Sequence, residues 1–249
     1  MDLNIWFFIA VGFVAQMVDG SMGMGYGVIS NSILLSLGLP PAAASSSVHT
    51  AEIVTTGVSG FSHFKLGNVN KQLFKRLVIP GIIGGVIGAY LLSNIDGNLL
   101  KPYIAIYLVL MGGVIIWRAF NFIEIAEHTP AAKKVMPLGL VGGFFDAIGG
   151  GGWGPIVTST LVARNHDPHK TVGSVNAAEF FVTLFQSITF IIALGFINWQ
   201  IILGLLIGGV LAAPLAAWLC KKTPSKKLMV LVGVLIIILS ARTLYLTWF

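Results

Sequence analysis

Long apolar runs recur along the whole chain, and they constrain its fold more than any other feature. Hydrophobic residues make up 56% of the 249 residues and charged residues only 10%, and the mean hydropathy is +0.90. A helix of about 20 apolar residues crosses the ~30 Å hydrocarbon core of a bilayer, and within lipid its backbone must be hydrogen-bonded internally. The sequence therefore predicts an all-α polytopic membrane protein with a single transmembrane domain over residues 1–249.

The basic residues lie at the ends of the apolar runs. The formal net charge of +6 reflects groups such as Lys71, Lys75 and Arg76 and the four lysines at 221–227. This distribution is typical of the cytoplasmic ends of membrane helices, so we expect a lipid bilayer and no nucleic acid as a partner. The single cysteine, Cys220, excludes an internal disulfide and a multi-cysteine metal cluster. No cofactor and no resident metal are expected.

The apolar runs and the breakers between them predict ten helices. Turns rich in glycine, proline and asparagine separate the runs, for example GLPP at 38–41 and HDPH at 166–169. The expected helical ranges are 5–18, 27–37, 46–64, 74–93, 101–120, 136–147, 154–164, 171–194, 200–220 and 226–246.

Two glycine-rich motifs indicate an internal duplication. Residues 19–27 read DGSMGMGYG and residues 146–154 read DAIGGGGWG. The offset between their aspartates, 146 − 19 = 127, aligns further residues of the two halves: Pro41 with Pro168, Ser47 with Ser174, and Glu52 with Glu179. We therefore predict two repeats, at about 5–120 and 136–247.

Loop charges indicate that the repeats are inverted relative to each other. The connection 38–46 has no lysine or arginine and 65–76 has four, whereas in the second half 164–170 has two and 195–200 has none. If basic loops face the cytoplasm, each half must cross the membrane an odd number of times. We expect each repeat to contain a glycine-broken re-entrant helix hairpin and three transmembrane helices, with both termini on the non-cytoplasmic side.

The glycine runs at the turns of these hairpins are the first candidate for a binding site. Broken helices at matching positions of inverted repeats mark substrate sites in transporters, and successive backbone N–H groups at a helix start bind anions. The residues expected to line this anion site are Gly23, Gly25, Tyr26, Gly150, Gly151, Gly152 and Trp153. The alternative is that the glycines only allow helices to pack closely.

Four acidic residues lie inside apolar segments, where an ionisable group is costly and indicates function. They form two repeat-related pairs, Asp19 with Asp146 and Glu52 with Glu179. The aspartates precede the glycine runs and are expected to shape the site, with a simple capping role as the alternative. Because burial disfavours a charged carboxylate, we expect the glutamates to carry a coupling proton. His49, one helical turn before Glu52, is expected to share it.

A polar face along the helix at 46–64 supports this interpretation. Side chains at spacings of three and four residues share one helical face, and here they are Ser45, His49, Glu52, Thr56, Ser59 and His63. We expect Ser47, His49 and their repeat counterparts Ser174 and Asn176 to contact substrate. His63, near the end of the helix, is expected to be an interface residue.

The paired glycine motifs, followed by VHTAE at 48–52 and VNAAE at 175–179, resemble the TauE/SafE sulfite exporter family over nearly the whole chain. The resemblance implies a secondary transporter, not an enzyme, that exports a small oxyanion such as sulfite, thiosulfate or an organosulfonate across the cytoplasmic (inner) membrane. An ionised carboxylate would repel such an anion, which suggests coupling to protons. The first motif departs from the second at Met22, Met24 and Val28, so the two hairpins are not expected to be equivalent.

Two other functions remain open at this stage. His49 and Glu52 could hold a divalent or transition-metal cation as cargo, although Asn176 replaces the histidine in the second half. GVSG at 57–60 resembles the motif of rhomboid intramembrane proteases, with Ser59 as nucleophile, but the repeat has Gln186 at this position. A homo-oligomer is also compatible with the sequence.

Overall fold

The computed structural model describes residues 4–121, 132–164, 166–220 and 226–248, and every regular element within these ranges is helical. The α-helices in chain order are α1 (Ile5–Met22), α2 (Tyr26–Ser36), α3 (Pro41–Lys65), α4 (Lys71–Asn94), α5 (Gly97–Phe120), α6 (Ala132–Gly149), α7 (Ser159–Ala163), α8 (Pro168–Leu194), α9 (Trp199–Cys220) and α10 (Lys226–Trp248). A π-helical segment, Trp153–Thr158, directly precedes α7. The helix expected at 154–164 therefore consists of two parts.

Proline and side-chain caps set the helix starts. α3 and α8 both have proline in their first turn, at Pro41 and Pro168, where the missing N–H has no helical partner to lose. α3 thus begins five residues before the expected 46 (46 − 41 = 5). The side chain of Asp167 accepts a hydrogen bond from the backbone N–H of Lys170 at 2.6 Å, and Asn70 caps α4 in the same way.

Within the described ranges, six helices are long and apolar enough to cross a membrane by length and composition: α1, α4, α5, α8, α9 and, from Met229, α10. α3 has 25 residues, which is sufficient length, but its polar face lowers its hydropathy and it is not among the six. α1 and α6 have 18 residues each, more than the 14 and 12 expected, and such a helix is roughly 27 Å long at 1.5 Å per residue. The expectation of short hairpin helices was therefore wrong for these two elements.

The packing pattern is the same when each helix is exchanged for its repeat counterpart. α1 packs on α9 and α6 on α4, α3 contacts α9 as α8 contacts α4, and the two remaining large contacts are α3 with α8 and α5 with α10. The closest approaches use glycine: a side chain at Gly12 or Gly208 would meet the backbone of the facing helix between α1 and α9, and at Gly84 or Gly143 between α4 and α6. Small residues of this kind let membrane helices pack closely.

Candidate functional site

Each glycine motif forms a non-helical junction between two helices. The first junction, residues 23–25, joins α1 to α2, and the second, residues 150–152, joins α6 to the π-helical segment. Gly23 and Gly150, which the repeat aligns, have φ angles of 68° and 65°. This left-handed conformation is one that only glycine adopts without strain, and it explains why both halves place glycine there.

Each junction lies directly against the first turn of the helical segment that follows the other junction. A Cβ added to Gly27 would lie 2.6 Å from the carbonyl oxygen of Gly150, and one added to Gly154 would lie 2.6 Å from the carbonyl oxygen of Gly23. Side chains fasten the contact from both sides. The hydroxyl of Thr158 donates to the Gly23 carbonyl at 2.6 Å, and the amide of Asn31 donates to the Gly149 carbonyl at 2.5 Å. Close packing, the alternative function of the glycines, is thus present in this conformation.

The carboxyl group of Asp146 is hydrogen-bonded to backbone N–H groups that we expected to bind an anion. Its Oδ1 accepts hydrogen bonds from the N–H groups of Gly152 at 2.8 Å and Trp153 at 3.0 Å. Its Oδ2 accepts from the amide of Gln186 at 3.0 Å and lies 3.2 Å from Nε2 of His49. The carboxyl group is 2% exposed. All four partners can act as donors, an arrangement that suits an ionised carboxylate.

His49 contacts Asp146 and not, as expected, Glu52. Its Nδ1 lies 2.8 Å from the backbone carbonyl of Ser45 and 3.2 Å from the hydroxyl of Ser45, which itself donates to the Ala147 carbonyl at 2.6 Å. Nδ1 must therefore carry a proton. A second proton is then held between Nε2 and Asp146, either on the imidazole ring as an ion pair or on the carboxyl group.

Asp19, the counterpart of Asp146, has a different environment. The backbone N–H of Tyr26 faces its carboxyl group, as that of Trp153 faces Asp146. Among the described residues no hydrogen-bond donor reaches its Oδ2. Asn176, at the position equivalent to His49, donates to the Val172 carbonyl at 3.2 Å and accepts from the hydroxyl of Ser59 at 2.7 Å.

The two glutamates lie near the opposite aspartates. Glu52 and Glu179 are 2% and 3% exposed, and their carbonyl groups accept from Thr56 and Thr183, one turn later, at 2.5 and 2.9 Å. Glu52 has Asp146 and Asp19 as charged neighbours, and Glu179 has Asp19, Glu52 and Asp146. The four carboxyl groups form one cluster, which we call the acid cluster: Asp19, Glu52, Asp146 and Glu179.

Two of the expected substrate contacts lie elsewhere. The hydroxyl of Ser47 accepts from the amide of Asn198 at 3.3 Å, and that of Ser174 accepts from the backbone N–H of Asn70 at 2.8 Å. Each serine therefore binds the residue that directly precedes a helix, α9 in the case of Ser47 and α4 in the case of Ser174. Each precedes its glutamate by five residues, which at 100° per residue turns it to another helical face.

Three further side chains differ from expectation in their surroundings. His63 is buried and its Nε2 lies 2.8 Å from the Gly20 carbonyl, so its assignment as an interface residue was wrong. Tyr26 and Trp153 are buried anchors: the hydroxyl of Tyr26 donates to the Leu205 carbonyl at 3.0 Å, and the indole N–H of Trp153 to the Val175 carbonyl at 3.1 Å.

Sequence reasoning missed two side chains at the site. Gln186 binds Asp146, and its place on the polar face of α8 could have indicated this role. Tyr107 of α5 lies beside the second junction, where a Cβ on Gly149 or Gly152 would meet its ring or hydroxyl, and no motif marked it. The hydroxyl of Ser59 donates to Asn176, and no described histidine is hydrogen-bonded to it. Among the described ranges, no group of three or more His, Cys, Asp and Glu side chains is arranged to hold a metal ion.

Comparisons with known proteins show which family the chain belongs to. The family model for the sulfite exporter TauE/SafE matches residues 8–243. The chain belongs to the TauE/SafE family. It is 47% identical over 248 residues to the probable membrane transporter protein YtnM of Bacillus subtilis, covering 97% of this chain and 83% of that protein.

A more distant relative has the same general description. The chain is 27% identical over 216 residues to the probable membrane transporter protein ORF9 of a Sinorhizobium species, covering 81% of this chain and 77% of the relative. No solved structure matches the chain. The protein is thus a multi-pass membrane transporter and not an enzyme.

Proposed function

We propose that this member of the TauE/SafE family is a secondary transporter that exports a small oxyanion, such as sulfite, thiosulfate or an organosulfonate, coupled to protons. The observation that carries the proposal is the position of Asp146. Its carboxylate is bound by two backbone N–H groups at a helix start, and a substrate oxyanion offers the same acceptor chemistry. The family description supports a sulfur oxyanion as substrate.

In the proposed mechanism, substrate and Asp146 compete for the same N–H groups. A proton on Asp146 weakens it as an acceptor, because a carboxylic acid is a poorer acceptor than a carboxylate. His49 is positioned to supply this proton through Nε2, 3.2 Å away. The N–H groups of Gly152 and Trp153 then become available to the anion, and departure of the anion allows Asp146 to bind them again as the proton leaves.

The neighbouring charges give a reason for coupling. Asp146 is faced by His49 and Glu52 from α3, Asp19 from α1, Glu179 from α8 and Tyr107 from α5. In a medium of low dielectric constant, an added anion is unfavourable beside ionised carboxylates. Uptake of a proton together with the anion removes one negative charge from the cluster, so proton and anion binding stabilise each other.

Alternating access follows from the proposed topology. We infer that α1 with α2, and α6 with α7, are re-entrant hairpins and that the two halves are inverted, with both termini on the non-cytoplasmic side. Cysteine accessibility tests this in a Cys220→Ser background. A membrane-impermeant reagent applied from outside should label a cysteine at Asn94 or Asn198 and not one at Lys71. Equal labelling at Asn94 and Lys71 would contradict the inverted arrangement.

The decisive functional experiment is flux into proteoliposomes that contain the purified protein. We expect sulfite, thiosulfate or sulfonate flux to depend on the protein and to respond to an imposed pH gradient. Thermal-shift measurements with the same anions, with carboxylates and with divalent metals provide a second readout. Stabilisation and flux with a metal alone would favour a cation transporter, and anion flux that ignores the gradient would exclude proton coupling.

A further inference from the structure

A groove lined by aromatic rings opens on the lipid-facing side of the protein between α3, α4 and α8. Its volume is about 530 Å³, within the ~300–1,000 Å³ of typical small-molecule sites. Five phenylalanines define it, and we call it the phenylalanine groove: Phe61, Phe64, Phe74, Phe180 and Phe181. Two of these rings, Phe61 and Phe64, are 58% and 56% exposed, so the groove is accessible from the bilayer.

The mouth of the groove is basic. Lys71 and Lys75 line it, and because they are four residues apart at the start of α4 they lie on the same helical face. The ammonium group of Lys71 is 5.9 Å from the ring centre of Phe64, and that of Lys65 is 4.6 Å from that of Phe61. The described part of the lining contains no acidic side chain.

The combination of an apolar channel and a basic rim has the chemistry of an anionic phospholipid. Acyl chains bind apolar grooves, and lysines at a membrane boundary attract anionic headgroups by about 1 kcal/mol each. The lysines lie at the end of a helix that is long and apolar enough to span, which is the depth of lipid phosphates. An uncharged lipid would bind the apolar part of the groove but would form no charge interaction with Lys71 and Lys75.

The groove is not a general consequence of the repeat. The offset of 127 places Ile188 and Ile191 at the positions of Phe61 and Phe64. Beyond these helices the two halves align with an offset of 128, which matches GNVN at 67–70 with GFIN at 195–198. With this offset, Trp199 is the counterpart of Lys71, and Leu203 is the counterpart of Lys75. The matching positions of the second half therefore lack the rings of Phe61 and Phe64 and both lysines.

The inner end of the groove lies near the acid cluster. Thr56 lines the groove, and its hydroxyl donates to the backbone carbonyl of Glu52 at 2.5 Å. Gly57 leaves the space open, because a Cβ there would lie 3.2 Å from the ring of Phe180. An occupant of the groove therefore contacts the helical turn that follows Glu52.

We propose that the phenylalanine groove binds one acyl chain of an anionic phospholipid, whose phosphate group lies between Lys71 and Lys75. This lipid fills the gap between α3, α4 and α8 and holds the Glu52-bearing turn of α3 in place. The proposal concerns a lipid site and does not depend on which anion the protein transports.

Native mass spectrometry of the full chain in detergent tests the proposal with phosphatidylglycerol as the anionic lipid and phosphatidylcholine as its zwitterionic counterpart. We expect the wild type to retain phosphatidylglycerol preferentially. The double variant Lys71→Gln/Lys75→Gln should weaken phosphatidylglycerol binding about 10- to 30-fold, as expected for the loss of two lysine–headgroup attractions. Gly57→Leu, which fills the groove, should reduce binding of both lipids.

Matched controls carry the same substitutions elsewhere. Lys101→Gln removes a lysine at the other end of the α4–α5 pair, and Gly113→Leu adds a side chain where a Cβ would meet no atom within 4 Å. Neither should alter lipid binding. If Gly57→Leu does not fold, the lysine double variant decides the question alone.

Four results would overturn the proposal. These are equal retention of the two lipids, unchanged phosphatidylglycerol affinity in the lysine double variant, displacement of the lipid by glycerol 3-phosphate alone, and competition by an alkanesulfonate. The third would indicate a phosphate site without an acyl chain. The fourth would assign the groove to the substrate route.

Discussion

Asp146 and Asp19 occupy equivalent positions in the two halves but have unequal surroundings. Asp146 accepts two backbone N–H bonds and contacts two side chains, His49 and Gln186. Asp19 faces one backbone N–H, and its Oδ2 has no donor among the described residues. The difference arises at two pairs of aligned positions on the polar faces of α3 and α8. His49 aligns with Asn176, and Ser59 aligns with Gln186. The two halves thus share the framework of the site, while the hydrogen-bond partners of the two aspartates differ.

The largest difference is expected from neutralising the two aspartates in turn. Asp146→Asn removes the carboxyl group that contacts His49 and accepts two backbone N–H bonds, and removing one partner of a buried pair costs about 3–5 kcal/mol when the pair is ionised. We expect anion flux in proteoliposomes to fall at least about 100-fold. Asp19→Asn should lower flux less than about fivefold, since no charged partner is lost. Equal losses in the two variants would show that the halves act alike.

Exchanging His49, which contacts Asp146, with its repeat counterpart Asn176 should affect coupling unequally. In His49→Asn, the asparagine can still donate to the Ser45 carbonyl, as Asn176 does to Val172, but it cannot carry a proton. We expect gradient-driven flux to fall about 10-fold, within the range of typical coupling free energies. The thermal unfolding temperature should fall as well, because the buried Asp146 loses its partner. Asn176→His should leave the gradient response unchanged. A normal gradient response in His49→Asn would remove histidine from the proton route.

A smaller difference is expected between the glutamates. Glu52 lies one helical turn after His49, whereas Glu179 lies one turn after Asn176, which cannot carry a proton. Glu52→Gln should therefore reduce pH-dependent flux about fivefold, at the lower limit of common coupling effects, and Glu179→Gln less. The measurement is anion flux at a series of imposed pH gradients. If Glu52→Gln keeps the full response, Glu52 has a structural role only.

No difference is expected between Gly27 and Gly154, because each of them packs in the same way against the junction of the other half. Gly27→Ala and Gly154→Ala each insert a methyl group within 3 Å of the facing backbone. Both should lower the free energy of unfolding by about 1–3 kcal/mol, as other overpacked sites do. Gly113→Ala, where the added group meets open space, serves as control. Unequal destabilisation would show that only one junction is tightly packed.

The sequence predicted the helices and the acids better than the contacts between them. Breakers and apolar runs located all ten helical segments, and the offset of 127 identified Asp19, Glu52, Asp146 and Glu179, all of which are buried. The extra length of α1 and α6 was missed because glycine and polar residues near their ends resemble breakers. In these two helices, packing against α9 and α4 overrides local propensity.

Contacts across the repeat could not be read from one half alone. Glu52 is the obvious neighbour of His49 along the helix, yet the ring turns to Asp146, 97 positions away. Gln186 and Tyr107 reach the site only because α8 and α5 pack against the second junction. The contact of Gly27 with Gly150 likewise depends on the mutual arrangement of the halves, which a periodicity within either half does not encode.

The contact between the two junctions also bears on the energy stored across the membrane. A cell that maintains a proton gradient cannot tolerate a continuous file of water through a transporter, since protons would pass along it. Here a Cβ on Gly27 or Gly154 would lie within 3 Å of the facing backbone, so neither contact leaves room for a side chain. We expect this close packing to keep water out, and a glycine substitution that separates the two halves should show itself first as dissipation of the gradient in the absence of any substrate.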